Sequence, residues 1–190
     1  MFDLRVTCNA LIAALALSYA TSLPAQELEG DVDALLNRLS TMTAEHDAAE
    51  AARLSREIEE RWTHSGSAAM DLLLQRGMDA IEAGEYAKAI SHLTALTDHA
   101  PDFAEGWNQR ATAFFLMDRY GQAIADIEHV LTLEPRHFGA LAGLGVMMEQ
   151  LGDEKAALRA FYAARDIHPA QPNINAAIER LEQQTGGRTL

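Results

Sequence analysis

AEGWNQRATAFFLMDRYGQAIADIEHVLTLEPRH, residues 104–137, is the middle one of three consecutive units of equal length. A step of 34 residues in either direction keeps its punctuation. Pro101, Pro135 and Pro169 stand one step apart, as do Ala89, Ala123 and Ala157, and so do the small residues Gly77, Ala111 and Gly145. A fixed period of this length marks a supersecondary unit stacked on copies of itself. The units run 70–103, 104–137 and 138–171 without insertion. Inside each, a first helix ends at a short turn, Gly84-Glu85, Asp118-Arg119 or Gly152-Asp153. A second helix then runs up to a proline, which pushes the residue before it out of the α region. The expected fold is all-α, a solenoid of stacked antiparallel helix hairpins.

The flanks extend the stack. Between 26 and 69, Leu35, Leu36, Leu39 and Met42 make one apolar stripe, and Leu54, Ile58 and Trp62 make another. The polar stretch Thr43 to Asp47 reads as the turn between them, and His64-Ser65-Gly66-Ser67 breaks the second helix. Leu54 and Ile58 fall near core positions of the 34-residue frame, so this hairpin reads as a degenerate first repeat that caps the stack. The competing reading, two helices with no repeat ancestry, stays open. Asp102-Phe103-Ala104-Glu105 has capping-box spacing and is expected to start a helix. At 172–190, Ile174, Ala177, Ile178 and Leu181 form the inward face of a closing helix, with Thr185-Gly186-Gly187-Arg188 as a frayed tail.

Residues 1–25 read as an export signal. Arg5 gives a positive start, Ala10 to Leu17 is an apolar run, and Leu23-Pro24-Ala25 precedes a cleavage site at Gln26. The run is shorter than the roughly 20 apolar residues a membrane span needs. The expectation is therefore export to the periplasm of a Gram-negative bacterium, with no stable membrane insertion after cleavage. The single cysteine, Cys8, precedes the apolar run, so it is not a lipoprotein cysteine, and the mature chain has no thiol chemistry.

The repeats resemble the tetratricopeptide repeat family, of the exported bacterial type. Its pattern is met in the middle unit by Trp107, Arg110-Ala111, Phe114, Ala123, Ile127, Val130 and Pro135. The last unit supplies Leu141, Leu144-Gly145, Met148, Ala157, Phe161, Ala164 and Pro169. The first supplies Leu73, Arg76-Gly77, Ala80, Ala89, Leu93, Leu96 and Pro101. The resemblance implies a right-handed superhelix whose concave groove, lined by the first helices, binds a protein or peptide. The groove positions it singles out include Leu74, Gln75, Met78 and Ile81 in the first unit and Asn108, Gln109, Thr112 and Phe115 in the second. In the third they include Ala142, Val146 and Glu149. Glu105 and Gly139 also fall on groove positions. The carboxylate clamp of chaperone-binding members needs basic residues, and Leu74, Met78, Gly139 and Gly143 stand at those positions instead.

Other chemistry is not signalled. A net charge of −13 argues against nucleic acid and anionic membrane as partners. Gly143-Leu144-Gly145 lacks a third glycine, which Met148 replaces, and has no preceding strand, so it is no dinucleotide loop. His92 and His99 are about 10 Å apart along a helix, too far to share an ion unaided. His129, His137 and His168 read as solvated. No nucleophile–base pair stands out, and no cofactor or metal is expected. The sequence thus points to a non-catalytic interaction scaffold of the cell envelope. The alternative is a structural protein that self-associates into homo-oligomers through its helix faces.

Overall fold

The computed structural model describes residues 24–186. The export signal therefore lies almost wholly outside the described residues, as do Cys8 and Gly187 to Leu190. Nine helices and no strand are found among the described residues: α1 (Pro24–Leu39), α2 (Ala48–Trp62), α3 (Ala68–Glu82), α4 (Tyr86–His99), α5 (Ala104–Phe115), α6 (Tyr120–Leu133), α7 (Phe138–Gln150), α8 (Glu154–Ile167) and α9 (Pro172–Gly186).

The repeat is visible first in the turns. Gly84, Asp118 and Gly152 adopt φ of 73°, 57° and 78°, the left-handed conformation that stops a helix. In each case the next amide donates five residues back: Glu85 N–H to the Ala80 carbonyl (2.8 Å), Arg119 to Phe114 (2.9 Å) and Asp153 to Met148 (2.9 Å). These bonds satisfy carbonyls that the helix end would otherwise leave orphaned. Asp118 holds this conformation as an aspartate, a residue whose short polar side chain tolerates it. The second helices end as expected, with Ala100, Glu134 and His168 making the last helical bond before each proline.

Packing explains the small residues. A Cβ on Gly77 would lie 2.5 Å from Leu93, and one on Gly145 would lie 2.7 Å from Phe161. In these hairpins the Leu93 and Phe161 side chains of the second helices therefore rest directly on the glycine backbone of the first. Ala111 and Ile127, both buried, occupy the same places in the middle hairpin. Each hairpin then lends residues to its neighbour: Ala113 of α5 joins the core of α3–α4, and Ala140 and Met147 of α7 join that of α5–α6. α9 closes the end by burying Ile174, Ile178 and Leu181 against Ala157, Phe161 and Ala164. Fully burying such side chains stabilises the fold by about 1.5–3 kcal/mol each. The helix runs on to Gly186, so Thr185 and Gly186 belong to it rather than to a frayed tail.

A polar joint sits inside the stack. Arg110 on α5 donates from Nε and Nη2 to both oxygens of Asp126 on α6, at 2.8 Å each. Its Nη1 reaches the Thr97 hydroxyl of α4 at 2.9 Å, and its guanidinium lies 4.7 Å from the centre of the Trp107 ring. Three helices from two repeats are thus tied by one largely buried side chain.

Two expectations are corrected here. The α1–α2 hairpin does not continue the stack as a repeat ahead of α3–α4. Its core of Leu35, Leu36, Leu39, Leu54, Ile58 and Trp62 is completed by Phe138 and Ala170 of the third repeat. Arg136 seals the contact by donating to Asn37 at 2.9 Å and lying 3.6 Å from Asp33. The capping box also fails to form. The residue before α5 is Phe103, whose side chain has no acceptor to cap with, and Glu105 bonds to Asn108, Gln109 and His137 instead.

Candidate functional site

By returning to the third repeat, the N-terminal hairpin lays α2 alongside the first helices α3, α5 and α7. A cleft of about 430 Å³ remains between them. Its outer wall is α2, through Arg56, Glu59, Glu60 and Trp62, with Thr63 just past the end of the helix. Its floor is Met78 of α3 with Glu105, Asn108 and Gln109 of α5, and its end is His137, Phe138 and Gly139. The wall is polar because the apolar stripe of α2 is spent on α1 and Phe138, leaving the charged residues one quarter-turn away to face the cleft.

Glu105 organises the floor. It is 7% exposed, and its carboxylate accepts from Asn108 Nδ2 (3.2 Å), from Gln109 Nε2 (2.6 Å) and from the His137 ring (3.1 Å). The amides lie three and four residues on, where a helix brings side chains onto one face. The His137 tautomer follows from its other bond. Nδ1 accepts the Ala140 N–H at 3.1 Å at the start of α7, so Nε2 carries the proton and donates to Glu105. The imidazole is therefore neutral in this arrangement. Trp62 stacks on it at 4.1 Å with the rings 13° apart, and also leans on Phe138 at 5.2 Å.

His168 lies behind Phe138, whose ring it meets edge-on at 5.3 Å. It is 1% exposed and neither ring nitrogen has a hydrogen-bond partner, so burial pushes its pKa below the usual histidine value. His137 and His168 were expected to be solvated. Both are buried at the seam between the hairpin and the third repeat, where Trp62 stacks on His137 and Phe138 meets His168.

Of the sequence-derived groove positions, Met78, Asn108 and Gln109 reach the cleft, with Glu105 and Gly139 beside them. The others are placed differently. Leu74 is buried at 2% exposure in the α3–α4 core, which Ala113 of α5 also joins, and so offers a ligand nothing. Gln75 is exposed and bonded to Asp79 at 2.7 Å. Ile81 packs against the α3–α4 core and Phe115 against that of α5–α6, where it meets Tyr120. Thr112 donates to the Asn108 carbonyl at 3.1 Å, and Ala142 packs beside the α8–α9 cluster. Val146 is exposed. Glu149 is paired with Arg180 of α9, whose hydrogen bonds hold its carboxyl below the usual glutamate value. No residue of the α2 wall was singled out from the sequence as a site residue. Its one signal was the Leu54–Ile58–Trp62 stripe, which announced a buried face without saying against what. Among the described residues no group of three His, Cys, Asp or Glu is placed to hold a metal ion, and no helix is long and apolar enough to cross a membrane.

The family model for the tetratricopeptide repeat matches residues 74–125 and 109–172. A TPR repeat-containing protein of Rhizobium etli is 38% identical over 90% of this chain and 80% of its own length. The chain belongs to the tetratricopeptide repeat family. More distantly, the protein SGT1 homolog of Bos taurus is 28% identical over 63% of this chain, which spans only 36% of that protein. Among solved structures, the first TPR domain of Spaghetti (RPAP3), bound to the HSP90 peptide SRMEEVD, superposes with a TM-score of 0.61 at 19% identity. It covers 63% of this chain and 95% of that one. The Yersinia enterocolitica type III secretion chaperone SycD, in complex with a peptide of the translocator YopD, gives a TM-score of 0.59 at 13% identity, over 63% of this chain and 96% of that one.

Proposed function

We propose that this protein is a non-catalytic scaffold that holds a protein or peptide segment in the cleft between α2 and the first helices of the repeats. The observation that carries the reading is the cleft itself: about 430 Å³, floored by Met78, Asn108 and Gln109 and walled by a helix from outside the repeats. A rigid stack presenting apolar contacts and hydrogen-bonding groups along one trough suits an extended or helical segment. The peptides bound by the TPR domain of RPAP3 and by SycD support the same use of the fold here. The apolar run Ala10 to Leu17 supports export, and with it a periplasmic, cell-envelope role. The test is affinity capture from an envelope fraction with wild type and a Met78→Ala/Asn108→Ala variant. Loss of a dominant partner in the variant is the expected result, and equal recovery of every protein overturns the cleft. The N-terminus of the protein recovered from that fraction checks the cleavage at Gln26.

Self-association is favoured by a separate observation: Leu116, Met117 and Leu151 are 42%, 39% and 54% exposed at the turns along one edge of the stack. Sedimentation over a wide concentration range decides it, since a monomer throughout removes this reading.

A further inference from the structure

The partners of Glu105 leave a charge unanswered. Its carboxylate is 8% exposed and is held by two neutral amides and, through the tautomer fixed by the Ala140 N–H, a neutral imidazole. No lysine or arginine among the described residues forms an ion pair with it. The N-terminus of α5, on which Glu105 sits in the first turn, offsets part of the negative charge. A buried ion is otherwise expected to be paired, because hydrogen bonds from neutral donors replace water only in part. Glu105 is nevertheless among the residues that line the floor of the cleft. Facing it across that cleft are Glu59 and Glu60, both exposed, so the lining carries three carboxylates against the single guanidinium of Arg56. Trp62 and Met78 add surfaces on which the aliphatic stem of a long cation can lie.

We propose that the cleft takes a basic peptide segment, one lysine or arginine of which reaches down between α2 and α5 to the Glu105 carboxylate while neighbouring cations meet Glu59 and Glu60 at the rim. This rests on the cleft-binding reading above and names the chemistry of its partner. Asn108 and Gln109 then serve to aim the carboxylate rather than to touch the peptide backbone. His137, locked under Trp62, keeps it from swinging out. The acidic surface of the rest of the chain steers such a segment towards the cleft, and the cleft decides which side chain is held.

The probe is a fluorescein-labelled ten-residue Gly-Ser peptide carrying four lysines, titrated into the full chain by fluorescence anisotropy at physiological salt. Two isosteric peptides replace the lysines by glutamine or by glutamate. The lysine peptide is expected to bind at least tenfold more tightly than the glutamine peptide, and the glutamate peptide to show no binding. Glu59→Gln/Glu60→Gln is expected to weaken the lysine peptide at least fivefold. A control with two neutralised carboxylates elsewhere, Asp98→Asn/Glu128→Gln on α4 and α6, is expected to stay within twofold of wild type. Because Glu59 and Glu60 are exposed, their variant tests the site without touching the core.

Equal weakening in the rim variant and the control means diffuse attraction to an acidic surface and overturns the proposal. Equal binding of the lysine and glutamine peptides overturns it as well, yet leaves the cleft standing as a peptide site. Displacement of the lysine peptide by an equal concentration of free lysine would identify a small-cation site and sink the peptide assignment. Failure of all three peptides refutes the basic partner, while the capture experiment with Met78→Ala/Asn108→Ala judges the cleft independently.

Discussion

Replacing Asp126 by alanine tests how the repeats are joined. The carboxylate takes two hydrogen bonds of 2.8 Å from Arg110, and the two side chains are 7% and 13% exposed. Alanine removes the acceptor and leaves a guanidinium buried against the hydroxyl of Thr97 and the Trp107 ring, neither of which carries charge. Breaking one side of a buried ion pair costs about 3–5 kcal/mol. For a chain of this size each kcal/mol lowers the melting temperature by roughly 2–4 °C, so a fall of about 6–20 °C is expected by circular dichroism. The second half of the experiment replaces both partners, Arg110→Met with Asp126→Leu. Apolar groups of similar volume need no counter-ion, and such replacements are commonly neutral or stabilising. The double variant should therefore melt well above Asp126→Ala. A cost under about 1 kcal/mol for the single change would refute the joint, since exposed pairs lose no more than that. So would a double variant as unstable as the sum of the two single changes, because interacting residues are not additive.

Ala123→Glu places a carboxylate where exposure is 0%, between the middle hairpin's two helices, and is expected to abolish the cooperative melt; an unchanged curve would show the repeat register to be wrong. The turns should respond in opposite directions. Gly84→Ala is expected to cost about 1–2 kcal/mol because φ is +73° there, and Asp118→Gly to be neutral or to stabilise by up to about 1 kcal/mol, both read from urea midpoints. His168 makes the seam acid-sensitive. Its pKa is depressed in the folded chain, so as pH falls through the ordinary histidine value of about 6.5 the unfolded state takes up the proton first and stability drops. Urea midpoints for wild type should decline from pH 7 to pH 5, with a smaller decline in His168→Phe; equal slopes would remove His168 from the account.

Much of the stack was legible because its rules are local. A proline every 34 residues ends a helix wherever it stands, and a glycine that must accept Leu93 or Phe161 at backbone contact is conspicuous among larger residues. The destination of the N-terminal hairpin was not legible. A stripe such as Leu54, Ile58 and Trp62 reports that a face is covered, and Phe138 and Ala170, which cover it, lie far along the chain. His137 and His168 were misjudged for the same reason, since isolated histidines look solvent-facing until the tryptophan and phenylalanine that bury them are known. Leu74 erred in the other direction: the repeat offset assigned it to the groove, and the structure buries it in the α3–α4 core. The cleft was half readable. Asn108 and Gln109 were found, but their spacing from Glu105, one helical turn back, was the better clue to what they do.

The bond from Arg136 to Asn37 spans 99 residues, in a fold whose other contacts are mostly between neighbours. Helical repeats assemble quickly because their contacts are local, whereas a contact of this reach waits for a long loop to close. A chain made from its N-terminus extends α1 and α2 before the surface they rest on exists, and their leucines stay bare until α7 and the Ala170 turn have formed. Refolding should therefore show two phases, a fast one for the repeats and a slower one in which the hairpin docks and the rings of Trp62 and His137 come together. Of the described helices, the two made first are expected to be the last to find their place.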